Sequence, residues 1–433
     1  MENKPRHTIQ FIAILTLLWV VLLQGVTHVV PQKPLDSFEE KTAAPGDWEL
    51  LAKQHTGFRE FFIRNYNQVV YSCLHSVSNQ HIKKGRDHEL YLKMYLDEAT
   101  GKTLRESYVT VDSAKAVARH NVEETLRLVD SLRNHGTAFL FVFAPAKPRV
   151  YPEKMPFYYR NHFQEFSLED YYVELFKENG IPHIDFLSQF KAMRDTATYP
   201  VYTRTGTHWA ASTLPFVADS ILKKIASLTE FDLSGICCDN TTPTTDYTEQ
   251  DGELEGKMNL LFPLAKPALP RPKMVLCDTI CKDRPRLLVV GDSHFGTLLG
   301  TCFTDAFSQW DFWEYNKTSI SSDPAQNFLP ISELPFAFKS LEDADVVLAV
   351  FTAPMLYNYL FGFTRSAMDL YEFARCDSCI HASRVLQMEH FITIDSAWYQ
   401  SVVKQAEEKN ISVEEALHNN AEYVIWMQDQ ANN

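Results

Sequence analysis

No stripe of lysine and arginine runs anywhere along this chain of 433 residues, in which 41 basic side chains face 55 acidic ones for a formal net charge of −14. A polyanion partner needs a basic surface that displaces counterions, so nucleic acid is not an expected ligand. Also missing are the phosphate-cradling G-x-x-x-x-G-K-[ST] loop, a strand-associated G-x-G-x-x-G and H-E-x-x-H. No cofactor and no catalytic metal are therefore assigned. Hydrophobic residues at 45% and charged residues at 22% lie within the globular range, so a packed core is expected.

The first thirty residues carry the topological signal. Lys4, Arg6 and His7 precede an apolar run from about Ile9 to Val30, and Asp36, Glu39 and Glu40 follow it. About twenty residues of helix cross a bilayer. The basic residues before the run place the N-terminus in the cytoplasm and the remainder outside, as a single-pass protein of the inner membrane with its main domain on the periplasmic side. A cleaved signal peptide is the rival reading, but no convincing small-x-small site follows Val30. Eight cysteines suit an oxidising compartment. Cys277 and Cys281, and Cys376 and Cys379, are spaced for local disulfides; with the adjacent Cys237 and Cys238 they also allow a four-thiolate zinc site.

The expected organisation is an anchor over 1–30, a tether and leading helices over 31–100, a main domain over 101–390, and a helical appendage over 391–433. Helical spacing runs from Trp48 to about Leu74 and from Ser113 to Asn134, the latter ending at His135-Gly136. Ala138–Phe143 follows as an unbroken apolar run, the mark of a strand covered on both faces. Leu168–Glu178 and Phe336–Leu341 read as further helices; Pro182–Phe186, Leu287–Val290 and Val346–Phe351 read as strands. Alternation of this kind gives an α/β three-layer domain with a mostly parallel sheet. Residues 229–281 are polar, Pro-rich and acidic from Asp246 to Glu255, and are expected to form an insertion or long surface loop. From Asp395 the pattern is that of a helical hairpin, with Ser412-Val413-Glu414-Glu415 spaced as a capping box.

Two short segments can carry chemistry. Val290-Gly291-Asp292-Ser293 puts a hydroxyl immediately after a buried strand, where nearby backbone N–H groups face an oxygen that becomes negative in acyl transfer. His208, in Thr207-His208-Trp209 ahead of an apolar helix over Ala210–Ile225, can take and return a serine proton. Ser293 is the candidate nucleophile, His208 the general base, and Asp292 a further catalytic candidate. Lys147, Arg204 and Trp209 are the candidate substrate contacts.

Gly291-Asp292-Ser293, the upstream Thr207-His208-Trp209, and Phe143-Ala144-Pro145-Ala146-Lys147 with Val150-Tyr151-Pro152-Glu153 together resemble the AlgX/AlgJ-type alginate O-acetyltransferases. The likeness runs from about His55-Thr56-Gly57-Phe58-Arg59 to about Phe363. It implies an SGNH-hydrolase-like fold and acetyl transfer to the hydroxyls of a polysaccharide acceptor. It also implies a donor delivered by a membrane-bound O-acyltransferase. One departure stands out: the family's Asp-x-His-Trp motif has Gly206 in place of its aspartate. Asp185 or Asp292 can substitute for it, a Ser-His dyad can act alone, or the protein is a non-catalytic glycan-binding scaffold. An acetylesterase using the same residues is the nearest enzymatic rival.

Overall fold

The computed structural model describes residues 4–27, 29–36, 57–239, 242–277, 283–324, 327–328, 331, 337–373 and 377–431. The part of the leading helix expected over 48–56, the acidic residues Glu39 and Glu40, and Phe336 lie outside these residues, as do Cys281 and Cys376.

In chain order, α1 (Lys4–Thr27) is followed by α2 (Arg59–Cys73), then β1 (Ile82–Lys84) and β2 (Leu90–Leu92), which pair antiparallel. Next come α3 (Val111–Asn134), β3 (Ala138–Ala144), α4 (Leu168–Glu178), β4 (His183–Asp185), α5 (Phe186–Met193) and α6 (Leu214–Leu228). The segment read as an insertion contains β5 (Ile236–Asp239), α7 (Glu249–Met258) and β6 (Lys273–Leu276). Beyond it lie β7 (Arg286–Gly291), the single turn α8 (Ser293–Gly296), β8 (Gln309–Glu314), β9 (Thr318–Ser321), β10 (Val346–Thr352) and α9 (Phe363–Phe373). Three helices close the chain: α10 (Asp377–Ile394), α11 (Ser396–Lys409) and α12 (Val413–Ala431).

The main sheet has the order β4-β3-β10-β7-β8-β9. Every neighbouring pair is parallel except β8 with β9. All seven residues of β10 and five of the six in β7 are buried. This is why these strands read as unbroken apolar runs: parallel strands with helices on both faces have no solvent side to alternate toward. On one face Phe141, Phe143 and Phe351 pack with Leu128 and Leu132 of α3 and Phe176 of α4. On the other, Leu140, Val142 and Val289 pack with Phe190 of α5 and Ile221 and Ile225 of α6. The helix α3 starts at a capping box, Thr110 and Ser113 each accepting the other's backbone N–H.

The hairpin expected from Asp395 is formed by α11 and α12, and α10 packs onto it, Val385 and Ile392 of α10 sharing one core with Val402 and Ala406 of α11 and Ala421 and Ile425 of α12. The expected box at its last helix has the Glu415 N–H donating to Ser412 Oγ at 3.0 Å. Two expectations are corrected here. Cys277 does not pair locally with Cys281: it directly follows the paired strand β6 and bonds to Cys237 of β5, with Cα atoms 4.9 Å apart. Finally, the described residues of the segment read as an insertion, 229–239 and 242–277, hold β5, α7 and β6 and bond to the rest of the domain rather than forming a long loop. Thr203 Oγ1 and Thr205 Oγ1 both donate to Asp251 O at 2.7 Å, and the Leu254 N–H donates to Thr205 O at 3.0 Å.

Candidate active site

Ser293 opens α8 directly beyond β7, a central strand held between β10 and β8. The turn is fixed by Asp292, whose Oδ1 accepts from the His294 N–H at 2.9 Å and whose Oδ2 accepts from both the N–H and the hydroxyl of Thr352 at 2.7 Å. Burial by itself raises the Asp292 carboxyl pKa, but its contacts with His294 and Thr352 outweigh burial and hold the group below its ordinary value. Asp292 thus joins the serine turn to the end of β10, with its oxygens occupied there rather than on His208. Asp185, the other proposed substitute, caps α5 by accepting from the Ser188 N–H at 2.9 Å.

His208 lies 85 positions before Ser293, yet its Nε2 is 2.9 Å from Ser293 Oγ. On the other side of the ring, Nδ1 is 2.9 Å from Glu253 Oε2, with the carboxylate oxygen off the line of the ring N–H. Glu253 Oε1 accepts from the Thr207 N–H at 3.0 Å, so one carboxylate lies beside the imidazole and anchors the loop that carries it. Ser293, His208 and Glu253 are all half-buried, which leaves the group open to a ligand. Sequence reasoning missed Glu253. The available signal was the acidic run Asp246–Glu255, read there as surface although Thr248 caps α7 by accepting from the Asp251 N–H.

The same geometry accounts for Gly206. A Cβ there would lie 2.5 Å from Gln250 O and 2.7 Å from Thr203 Oγ1. The start of α7 fills the space an aspartate would need, and that helix supplies the carboxylate instead. Gly206→Asp should consequently lower turnover rather than raise it. Overpacking against backbone typically costs about 1–3 kcal/mol, so a fall in melting temperature should accompany the loss; faster hydrolysis of an acetyl ester would contradict this account.

The remaining sequence candidates divide by burial. Lys147 is 1% exposed, its ammonium donating to the carbonyls of Leu90, Thr203, Arg204 and Gly206 at 2.7–3.2 Å and pairing with Glu89 at 3.0 Å. Burial lowers its pKa, with Glu89 opposing. Lys147 therefore grips the segment leading into His208 and is enclosed by protein. Trp209 is fully buried and donates to Thr297 Oγ1 at 2.6 Å, so it packs beneath the site. Arg204 is exposed.

Two neighbours complete the electrostatics. The fully buried His294 ring sits 4.6 Å from that of His208, centroid to centroid, with its Nδ1 3.5 Å from Asp292 Oδ1. Burial lowers its pKa, with Asp292 opposing. The Tyr315 hydroxyl interacts with both the side chain and the backbone of Ser293; burial raises its pKa, so it remains a protonated donor. A hydroxyl, an imidazole within hydrogen-bond reach of it and a carboxylate beside that imidazole are parts that acyl transfer requires. A cavity of about 920 Å³ lies elsewhere, lined by Thr137, Ala138 and Asp345 at the N-terminal edge of the sheet. Chemistry, not volume, identifies the site.

Residues 104–317, which include Glu253 as well as His208 and Ser293, match the family described as the SGNH hydrolase-like domain of the acetyltransferase AlgX. Among solved structures, the chain is similar to the O-acetyltransferase domain of Pseudomonas putida AlgJ, at 19% identity over 66% of this chain and 99% of that one, with a TM-score of 0.41. It is similar to Pseudomonas aeruginosa AlgX at 15% identity over 67% of each chain, with a TM-score of 0.43. Bacillus cereus PatB1 matches at 12% identity over 57% of this chain and 92% of that one, with a TM-score of 0.35. No curated protein sequence matches.

Proposed function

We propose, from the match of residues 104–317 to the SGNH hydrolase-like domain of the acetyltransferase AlgX, that this protein is an O-acetyltransferase acting on polysaccharide hydroxyls through an acetyl-serine. The observation that carries the reading is the chain Ser293 Oγ, His208 Nε2, His208 Nδ1, Glu253 Oε2, with both intervals 2.9 Å, at the C-terminal end of a parallel strand.

In the first half-reaction His208 Nε2 takes the Ser293 proton as Oγ attacks the donor's acetyl carbonyl. Negative charge builds on the carbonyl oxygen, and on this reading the Ser293 N–H and the Tyr315 O–H stabilise it. Collapse breaks the bond to the leaving group, which receives the proton from His208, and acetyl-Ser293 remains. In the second half a sugar hydroxyl gives its proton to His208 and attacks the ester; Ser293 leaves and is reprotonated. Glu253 holds the imidazole tautomer and balances its charge in both halves.

The helix α1 contains a 19-residue stretch, Ile9–Thr27, of mean hydropathy 2.3, long and apolar enough to cross a membrane. On this reading the domain stands outside the inner membrane on a single span, facing a polysaccharide acceptor and receiving acetyl from a membrane-bound O-acyltransferase. Incubation of the full chain with an activated acetyl ester should give a burst of leaving group and a transient acetyl mass on the peptide containing Ser293, and neither in Ser293→Ala. A wild-type protein with no burst and no adduct, but with glycan binding unchanged by Ser293→Ala, would make it a scaffold.

A further inference from the structure

The helix α2 presents an outer face without charge. Its exposed residues are Phe61, Phe62, Tyr66, Val69, Ser72 and Cys73, and the four large apolar ones are 50–64% exposed. Phe62, Tyr66 and Val69 follow one another at four- and three-residue spacing and so form one stripe. Phe262, 64% exposed, adjoins this helix through its own N–H, which donates to Gln68 Oε1 at 3.0 Å. A patch of this kind on a water-facing domain signals an interaction surface.

Its position indicates the partner. Gly57, just ahead of α2, lies so close to the last turns of α1 that a Cβ would meet Val21 O at 2.0 Å and Gly25 N at 2.8 Å. The chain turns back after the span, with Gln24 exchanging two hydrogen bonds with the backbone of Val30. Gln32 Oε1 then accepts from the Phe61 N–H at 3.1 Å, and Pro34 O accepts from Arg64 at 2.7 Å. The start of α2 is thus fixed at the level where α1 ends.

We propose that the outer face of α2 lies in the interface of the bilayer that α1 crosses, with Phe61, Phe62, Tyr66 and Val69 entering the adjoining leaflet. Aromatic side chains favour this depth, and an amphipathic helix there lies in the membrane plane. The inner face of α2 grips the end of the helix bearing Glu253. Asn67 Nδ2 donates to Met258 O at 2.9 Å, and Arg64 donates to Leu260 O at 3.3 Å. The bilayer surface, α2, α7 and the catalytic carboxylate are therefore packed in sequence, which sets the Ser293 opening at a fixed height above the lipid.

The proposal rests on α1 spanning the membrane, and the test separates the two. The photoreactive residue benzoylphenylalanine is installed singly at Leu18, Phe62, Tyr66 or Arg127 in the full chain, reconstituted in phosphatidylethanolamine–phosphatidylglycerol vesicles. Illuminated samples are digested and analysed by mass spectrometry. Lipid adducts are expected at positions 18, 62 and 66 and not at 127, on the exposed outer side of α3. Adding Tyr66→Asp should reduce the adduct at 62 several-fold and leave that at 18 unchanged. Lipid at 18 without lipid at 62 or 66 would overturn the proposal and leave the span intact. Adducts at 62 and 66 to peptides of this chain would assign the face to a protein contact instead. No lipid at 18 would remove the span, and the proposal with it.

Discussion

Glu253→Gln should lower kcat for acetyl-ester turnover by about four orders of magnitude, the scale of loss when the orienting carboxylate of a serine triad becomes an amide. The substitution keeps the side chain's shape and leaves one carbonyl oxygen to accept from the Thr207 N–H, as Glu253 Oε1 does at 3.0 Å. The loop therefore stays in place, while the group facing His208 Nδ1 loses its charge. KM should change little, because the lost interaction is felt most when His208 carries a proton. Combining Glu253→Gln with His208→Ala should cost far less than the product of the two separate losses, since the residues act as a unit. Burst and steady-state measurements on the detergent-solubilised full chain would check both. Turnover near the wild-type value in Glu253→Gln would return the site to a Ser-His dyad.

Lys147→Met should destabilise the protein by about 3–5 kcal/mol, the usual cost of removing one partner from a buried ion pair. Four backbone carbonyls lose a donor together, and three of them belong to Thr203, Arg204 and Gly206, in the segment that delivers His208. Glu89 keeps Lys154 at 3.2 Å, which places the loss toward the lower end of that range. Adding Glu89→Leu should recover part of it by removing the buried carboxylate. Thermal unfolding reads the stability change, and a parallel fall in kcat would show that the histidine loop has loosened. A melting temperature unchanged by Lys147→Met would mean that the ammonium holds nothing in place.

Features that depend on neighbours along the chain were legible in the sequence. The runs Ala138–Ala144 and Val346–Thr352 announced buried parallel strands because both faces are covered. The same local logic placed Ser293 at a strand end and His208 at the start of an apolar segment. Its limit shows at the next helix, which begins at Leu214 rather than Ala210. The acidic run containing Glu253 was visible too, but its composition resembles that of any solvated surface loop. Nothing local marks one carboxylate among several as the one that meets an imidazole.

Tertiary structure decided what long-range contacts determine. Glu253 becomes the partner of His208 because Thr203 and Thr205 bind the backbone of Asp251 and draw α7 onto the histidine loop, across 46 to 48 positions of sequence. That contact leaves no room at Gly206, so the missing aspartate and the displaced glutamate are one packing event. Lys147 read as a substrate contact because an isolated lysine near a strand end usually faces water. The carbonyls that enclose it come from segments 56 to 59 residues away on either side. Sequence patterns encode burial through periodicity within an element, whereas a side chain's partner is set by which elements pack together. Ser293 and His208 were therefore readable as candidates from the chain alone, while the carboxylate that lies beside the imidazole came only with the fold.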